Sequence, residues 1–367
     1  MKLKFEGNHC NMKRNIILLA ICTCIFQYVC SQNKKDYHIH TIAFYNLENL
    51  FDTEDDPITY DEDRTPEGKD RWTEERYQQK LQNLSKVISD IGYDLTKTSP
   101  VVIGVAEIEN RKVLEDLVNQ PRLLSKDYGI VHRESPDKRG VDVGFLYNKS
   151  LFRPASVSTH ELVIYDNQDL SRRRYTRDQL LVSGYLDGEL IHIIVNHWPS
   201  RSGGEARSQF KREKAAKLNR KIIDSLFSVN PYAKIITMGD FNDDPDNNSL
   251  KKILKAKPDR EQLSIKELYN PMYRIMKKGI GSLAYADGWN LFDQIIISEA
   301  FLKKDFSTYQ YYKAGIYNKP YLSTQKGKYK GYPFRTYAGG THTGGYSDHF
   351  PVYLYLIKEK EKSVNNK

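Results

Sequence analysis

Short apolar runs and longer helical patterns alternate along this chain. Runs of strand length fall at 39–45, 101–105, 128–132, 141–147, 179–186, 190–196, 233–238, 292–297 and 351–357. Between them, Trp72, Tyr77, Leu81, Leu84, Val87 and Ile88 recur at three- and four-residue steps, which predicts a helix over Thr73 to Ile91. A second helix is predicted over Arg207 to Phe227, with many Lys and Arg on its outer face. Strands and helices at this rhythm argue an α/β fold. No Pro/Ser/Gly linker divides the pattern and no repeat of solenoid period occurs, so 39–358 is expected to form one domain, followed by a polar tail over 359–367. Residues 309–346 differ in composition. Tyr309, Tyr311, Tyr312, Tyr317, Tyr321, Tyr329, Tyr332 and Tyr337 interleave there with Lys313, Lys319, Lys326, Lys328, Lys330 and Arg335.

The N-terminus changes the picture. Lys13 and Arg14 precede an apolar run from Ile16 to Phe26, with small residues around Cys30-Ser31. That is the pattern of a secretion signal, and the run is too short to span a bilayer comfortably. Residues 1–31 are therefore expected to be a signal peptide cleaved before Gln32, with 32–38 as a short N-terminal segment and Met12 as a second candidate start. A retained anchor is the alternative; Gln27-Tyr28-Val29-Cys30 makes a poor lipidation site. All four cysteines, Cys10, Cys22, Cys24 and Cys30, lie in this leader. The mature chain would then need no disulfide and offer neither a thiolate nucleophile nor a Cys–zinc site. The leader carries Lys2, Lys4, Lys13 and Arg14 against Glu6, so its removal lowers the net charge from +9 to +6. The remaining positive charge favours acidic partners such as nucleic acid or anionic lipid.

Two blocks carry the chemistry: Met238-Gly239-Asp240-Phe241-Asn242-Asp243-Asp244-Pro245 and Tyr346-Ser347-Asp348-His349-Phe350-Pro351. Each sets an acid at the end of an apolar run, next to a group able to hydrogen-bond phosphate or water. Carboxylates converging with a His at strand ends suit metal-assisted hydrolysis of a phosphate ester. Together the two blocks resemble signatures of the endonuclease/exonuclease/phosphatase superfamily, the DNase I-like proteins. Five further blocks resemble the family in its order: Ile42 to Asn49 with Asn46, Ile103 to Asn110 with Glu107, Gly140 to Tyr147 with Asp142, Ile193 to Ser200 with Asn196 and His197, and Asn290 to Ser298 with Asp293.

The resemblance implies a four-layer α/β/β/α sandwich of two packed, mainly antiparallel sheets flanked by helices. It implies a Mg²⁺ site, with Mn²⁺ or Ca²⁺ as alternatives, in which Glu107 is the main ligand and Asn46 and Asp348 assist. It makes Asp240 the acid that orients water, Asn242 a donor to the developing phosphorane, and His349, oriented by Asp293, the group on the scissile phosphate. His197 would be a second phosphate-side histidine paired with Asp142. Arg177 matches a phosphate-facing position, and Asn196 lies in a substrate-binding block. Lys326, Lys328 and Lys330, among tyrosines, are substrate-binding candidates. Asp243 and Asp244 read as turn and helix-cap acids, and Arg172 to Arg174 as a solvated basic face.

These features point to a secreted or periplasmic, metal-dependent phosphodiesterase, a nuclease on DNA or RNA, monomeric and without a protein partner. The runner-up is a sphingomyelinase-like phospholipase C, for which an exposed apolar hairpin would be expected where the Tyr/Lys segment is polar. The late block lacks the W-x-D-R-I pattern of the inositol-phosphate phosphatases. A binding protein that has lost catalysis would not keep every catalytic block.

Overall fold

The apolar runs become strands whose alternate residues face two different cores, and this sets the layers. In the computed structural model, residues 35–166 and 169–360 are described. The predicted leader, residues 1–31, lies outside them, as do 32–34 and 361–367. Among the described residues, no helix is long and apolar enough to cross a membrane.

We label the strands of the two large sheets in chain order: β1 Tyr37–Leu50, β2 Val102–Ile108, β3 Tyr128–His132, β4 Asp142–Asn148, β5 Phe152–His160, β6 Gln179–Leu186, β7 Glu189–His197, β8 Lys234–Asp240, β9 Ala256–Lys257, β10 Leu268–Tyr269, β11 Asp293–Ser298, β12 Gln310–Ile316 and β13 Val352–Glu359. The principal helices are α1 Glu74–Asp90, α2 Arg111–Val118 and α3 Glu205–Val229. One sheet runs β12-β13-β1-β2-β4-β3, the other β9-β10-β11-β8-β7-β6-β5. Each holds a parallel pair at its centre, β1 with β2 and β7 with β8. The first pair is crossed over by α1 and the second by α3, as parallel strands require.

Burial alternates with period two. In β1, Ile42 and Phe44 face the core between the sheets, while Ala43 and Tyr45 face the core under α1 and α2. In β7, Ile193 and Val195 face inward and Ile194 packs under α3 with Ala215, Ala216 and Ile223. In β8, Ile236 and Met238 point in and Ile235 out. Such two-sided burial is why these strands read as continuous apolar runs. Each fully buried Leu, Ile or Val contributes roughly 1.5–3 kcal/mol. Gly104 lets the sheets approach, since a Cβ there would come 2.8 Å from Met238 Sδ of the facing sheet.

Four strands of the large sheets, β5, β12 and the two-residue β9 and β10, and one principal helix escape the sequence pattern. Edge strand β5 is mostly half-buried or exposed, carries Pro154, and has no apolar run. Edge strand β12 takes the first part of the tyrosine-rich segment. Tyr309 is fully buried against the sheets, and Tyr317 and Tyr321 pack on the core beneath α1 with Tyr346. That part of the segment is structural. Helix α2 is capped by the Asn110 side chain, which accepts from Val113 N at 3.1 Å.

Candidate active site

The inward-facing row of each central strand ends in a polar residue. Continuing Ile42 and Phe44 gives Asn46; continuing Ile193 and Val195 gives His197; continuing Ile236 and Met238 gives Asp240; reading Ile297 and Ile295 backwards gives Asp293. The site is thus the last rung of the inter-sheet core, at the C-terminal ends of both parallel pairs. Crevices outside such strand ends are where ligands bind in parallel sheets. Asn46 and Asp293 are fully buried, and Asp240 and His197 nearly so.

Glu107 joins the row by a different route. Ala106 pairs with Val143 and Ile108 with Asp142, leaving Glu107 as an extra residue in a bulge. Its φ is +58°, and Glu48 and Asn49, in the facing irregularity of β1, each have φ +51°. Left-handed backbone costs a non-glycine residue about 1 kcal/mol or more and gathers where function holds it. The bulge turns the Glu107 carboxylate toward Asn46 Nδ2 at 3.2 Å and Asn49 N at 3.0 Å. The same Asn46 amide donates to Asp240 Oδ2 at 3.2 Å. His197 Nε2 lies 3.7 Å from both Glu107 Oε1 and Asp240 Oδ2. These distances are too long for hydrogen bonds, yet the three ligand atoms lie within 4.8 Å of one another. An oxygen-rich set of this kind suits a hard divalent cation.

A second group faces it. Asp293 Oδ2 stands 2.6 Å from His349 Nδ1. Burial opposes protonation of His349, but Asp293, with Asp348 and Asp240 behind it, outweighs burial and holds the imidazole well above its ordinary pKa. Burial, reinforced by Asp293 and Glu107, pushes Asp240 up to about 7 against the pull of His349. His197 goes the other way: burial, then the charges of Arg177 and Arg139, hold it well below the ordinary value. Its Nδ1 has no hydrogen-bond partner among the described residues. One histidine is therefore cationic and the other neutral.

Several expectations need correction, and strand parity explains two. Asp142 does not pair with His197. In β4, Val143 and Phe145 face inward, so Asp142 faces outward, where its Oδ2 meets His132 Nε2 at 3.0 Å. Asn196 is likewise one residue out of phase with His197. It points toward α3, bonded to Asn219 Nδ2 at 2.9 Å and Trp198 Nε1 at 3.1 Å, and is fully buried away from any substrate. Arg177 is not open to phosphate. It is buried, with Nη1 on Asp137 Oδ2 at 2.9 Å and Nη2 on Trp198 O at 2.8 Å. Asp348 Oδ2 accepts from Arg335 Nη2 at 2.7 Å while its Oδ1 lies 3.9 Å from His349 Nε2, and none of the close ligand sets among the described residues includes it. Asp243 and Asp244 cap no helix: Asp243 holds buried Arg212 Nε at 2.7 Å, and Asp244 accepts from Leu291 N at 2.7 Å.

Asn242, at φ +51°, donates Nδ2 to Trp198 O at 2.9 Å, while its backbone N bonds Asp240 Oδ1 at 2.9 Å. Lys326, Lys328 and Lys330 lie on an exposed loop. A chain of rings links that loop to the site: Tyr329 to Tyr332 at 5.8 Å, Tyr332 to Trp289 at 5.8 Å, and Trp289 stacked on Phe350, next to His349, at 6.1 Å. Sequence reasoning missed Trp289, which a short hairpin carries just before Asp293. It also missed Glu48, which accepts from Thr336 N at 2.6 Å and ties β1 to the segment before Ser347. A tryptophan between Gly288 and Asn290, outside any apolar run, was the available signal for the first.

A sequence profile described as the Endonuclease/Exonuclease/phosphatase family matches residues 41–358. No curated protein matches the chain. Among solved structures, an endonuclease/exonuclease/phosphatase family protein from Bacteroides thetaiotaomicron is similar at a TM-score of 0.51 and 14% identity, covering 89% of this chain and 100% of its own. TDP2 of D. rerio, in complex with single-strand DNA product, is similar at 0.49 and 13% identity, covering 87% and 98%. A truncated Caenorhabditis elegans TDP2 is similar at 0.49 and 12%, covering 87% and 97%.

Proposed function

Since the chain belongs to the Endonuclease/Exonuclease/phosphatase family and carries its phosphoesterase fold, we propose that it is a divalent-cation-dependent phosphodiesterase acting on nucleic acid. The observation that carries this reading is the pairing of opposites on one rung: a carboxylate pair, Glu107 and Asp240, held by Asn46, facing the cationic His349 held by Asp293. The cation would rest on Glu107 with neutral His197 and Asp240 beside it. When bound, it neutralises phosphate charge and steadies the leaving oxygen. His349 holds the scissile phosphate by charge and keeps a proton for the departing oxygen. Asp240 takes the proton of the attacking water at its carboxylate, and a pKa near neutrality suits that task. Asn242, beside it, keeps the second hydrogen of its amide for the phosphate oxygens as charge develops, the first being on Trp198 O. The aromatic chain from Trp289 to Tyr329, with Lys328 at 5.7 Å from the Tyr329 ring, favours nucleic acid over a lipid headgroup. The charged n-region and apolar run of the leader support export from the cytoplasm.

Supercoiled DNA, RNA and sphingomyelin, each offered with Mg²⁺ and with chelator, test the proposal. Cleavage of DNA or RNA only with Mg²⁺ is the expected result. Turnover of sphingomyelin alone would overturn the nucleic-acid assignment, and no turnover of any phosphodiester would overturn the enzyme.

A further inference from the structure

The site has a second flank, on the side of His197, that the reading above does not use. Arg177 Nη2 bonds the carbonyl of Trp198, the residue after His197, at 2.8 Å. Its other arm holds Asp137 Oδ2 at 2.9 Å, which fixes the 137–140 loop against the site. Lys138, on that loop, forms no ion pair among the described residues. Its Nζ lies 5.9 Å from the ring of Tyr60 and 5.9 Å from the ring of Tyr175. The guanidinium of Arg173 lies 4.6 Å over the same Tyr175 ring, while also pairing with Glu161. Tyr60 N donates to Lys138 O at 2.7 Å, so its loop is pinned to the lysine's backbone. Yet Tyr60 is 65% exposed and Tyr175 44% exposed. Two aromatic faces are thus offered to water, on backbone tied to the catalytic strand, with an uncompensated cation between them. Core packing explains neither ring.

Resting on the nuclease reading, we propose that Tyr60, Lys138, Tyr175 and Arg173 form a subsite for the unpaired bases of a single strand next to the scissile phosphate. Exposed rings beside cations hold such strands by stacking bases and pairing phosphates, whichever the base. In a duplex each base is already stacked on its neighbours, so the subsite selects strands whose bases are splayed. It is distinct from the Trp289 flank, which borders His349.

The test compares KM and kcat of the full chain, in Mg²⁺, on a single-stranded oligonucleotide and on its duplex. The Tyr60→Ala/Tyr175→Ala double variant is expected to raise KM for the single strand by roughly tenfold or more, since each lost stacking contact costs about that factor. Its kcat should stay within about twofold and its duplex KM should rise far less. Tyr60→Phe/Tyr175→Phe should restore the wild-type KM, because the ring and not the hydroxyl stacks. Lys138→Ala should raise single-strand KM and flatten its salt dependence. An unchanged single-strand KM in the double Ala variant, equal rises on both substrates, or a Phe variant as poor as the Ala variant would each overturn the subsite while leaving the nuclease reading intact. A wild-type protein that cleaves no nucleic acid would overturn both.

Discussion

Two histidines with opposite charge states share this site, and their substitution should separate their roles. The resemblance sets both histidines on the phosphate side, but burial with Arg177 and Arg139 nearby keeps His197 neutral, whereas Asp293 keeps His349 charged. We expect His349→Ala to cut cleavage of nucleic acid by about 10² or more, the usual range for a positioned acid. It should cost much less on a nitrophenyl phosphodiester, whose leaving oxygen needs no proton. His197→Ala should lower both substrates alike. Steady-state rates on the pair of substrates check this, and the reverse pattern would assign the proton to His197 instead. Asp293→Asn removes the partner that raises His349. The alkaline fall of kcat/KM should therefore move to lower pH in that variant, and an unmoved limb would show that His349 works uncharged. Asp142→Asn, by contrast, should leave turnover near wild type, because its carboxylate serves His132.

The β7–β8 pair meets at Gly239 opposite Asn196, directly before Asp240 opposite His197. A Cβ at 239 would come 2.2 Å from Asn196 O, a backbone atom that cannot swing away. Gly239→Ala should cost about 1–3 kcal/mol through overpacking and misplace both catalytic side chains. Chemical denaturation and kcat should fall together, and a stable, active variant would mean the strands part without consequence. The same parity shows what the sequence could tell. The central strands, helix α1 over 74–90 where 73–91 was expected, and helix α3 over 205–229 where 207–227 was expected, were legible because both faces or one full stripe are apolar. Edge strands β5 and β12 were not, because neither carries a continuous buried apolar run, whereas edge strand β3 does. Motif blocks located Asp142 and Asn196 near the site in sequence, but only the inward row decides which side chains enter it. Glu107 breaks the row through a bulge, which a periodic pattern does not reveal; its part as a candidate came from the resemblance alone.

Across the molecule, several buried carboxyls hold their protons unusually high: Asp240 at about 7 and Glu109 at about 8, both mainly through burial. A carboxyl raised in the folded state binds more protons than it does unfolded. It therefore destabilises the fold as pH rises from the ordinary carboxylate range toward its folded value. The metal-free protein should lose thermal stability between about pH 4 and 8 from these groups. A divalent cation that needs Asp240 ionised should bind more tightly as pH climbs through 7 and release a proton below it. Melting curves at pH 5.5 and 8, with chelator and with Mg²⁺, check both signs: the Mg²⁺ shift should be larger at pH 8 and should vanish in Glu107→Gln. Farther out, neutralising Lys326, Lys328 and Lys330 together should flatten the salt dependence of KM on nucleic acid while kcat changes little. An unchanged slope would place that loop away from the substrate. The last rung of the inter-sheet core has one more consequence. Asn46 and Glu107 belong to one sheet, His197, Asp240 and Asp293 to the other, so neither sheet alone holds half a reaction. During refolding, turnover should therefore return only when the two faces close on each other, later than the recovery of secondary structure, and catalysis becomes a clock for that closure.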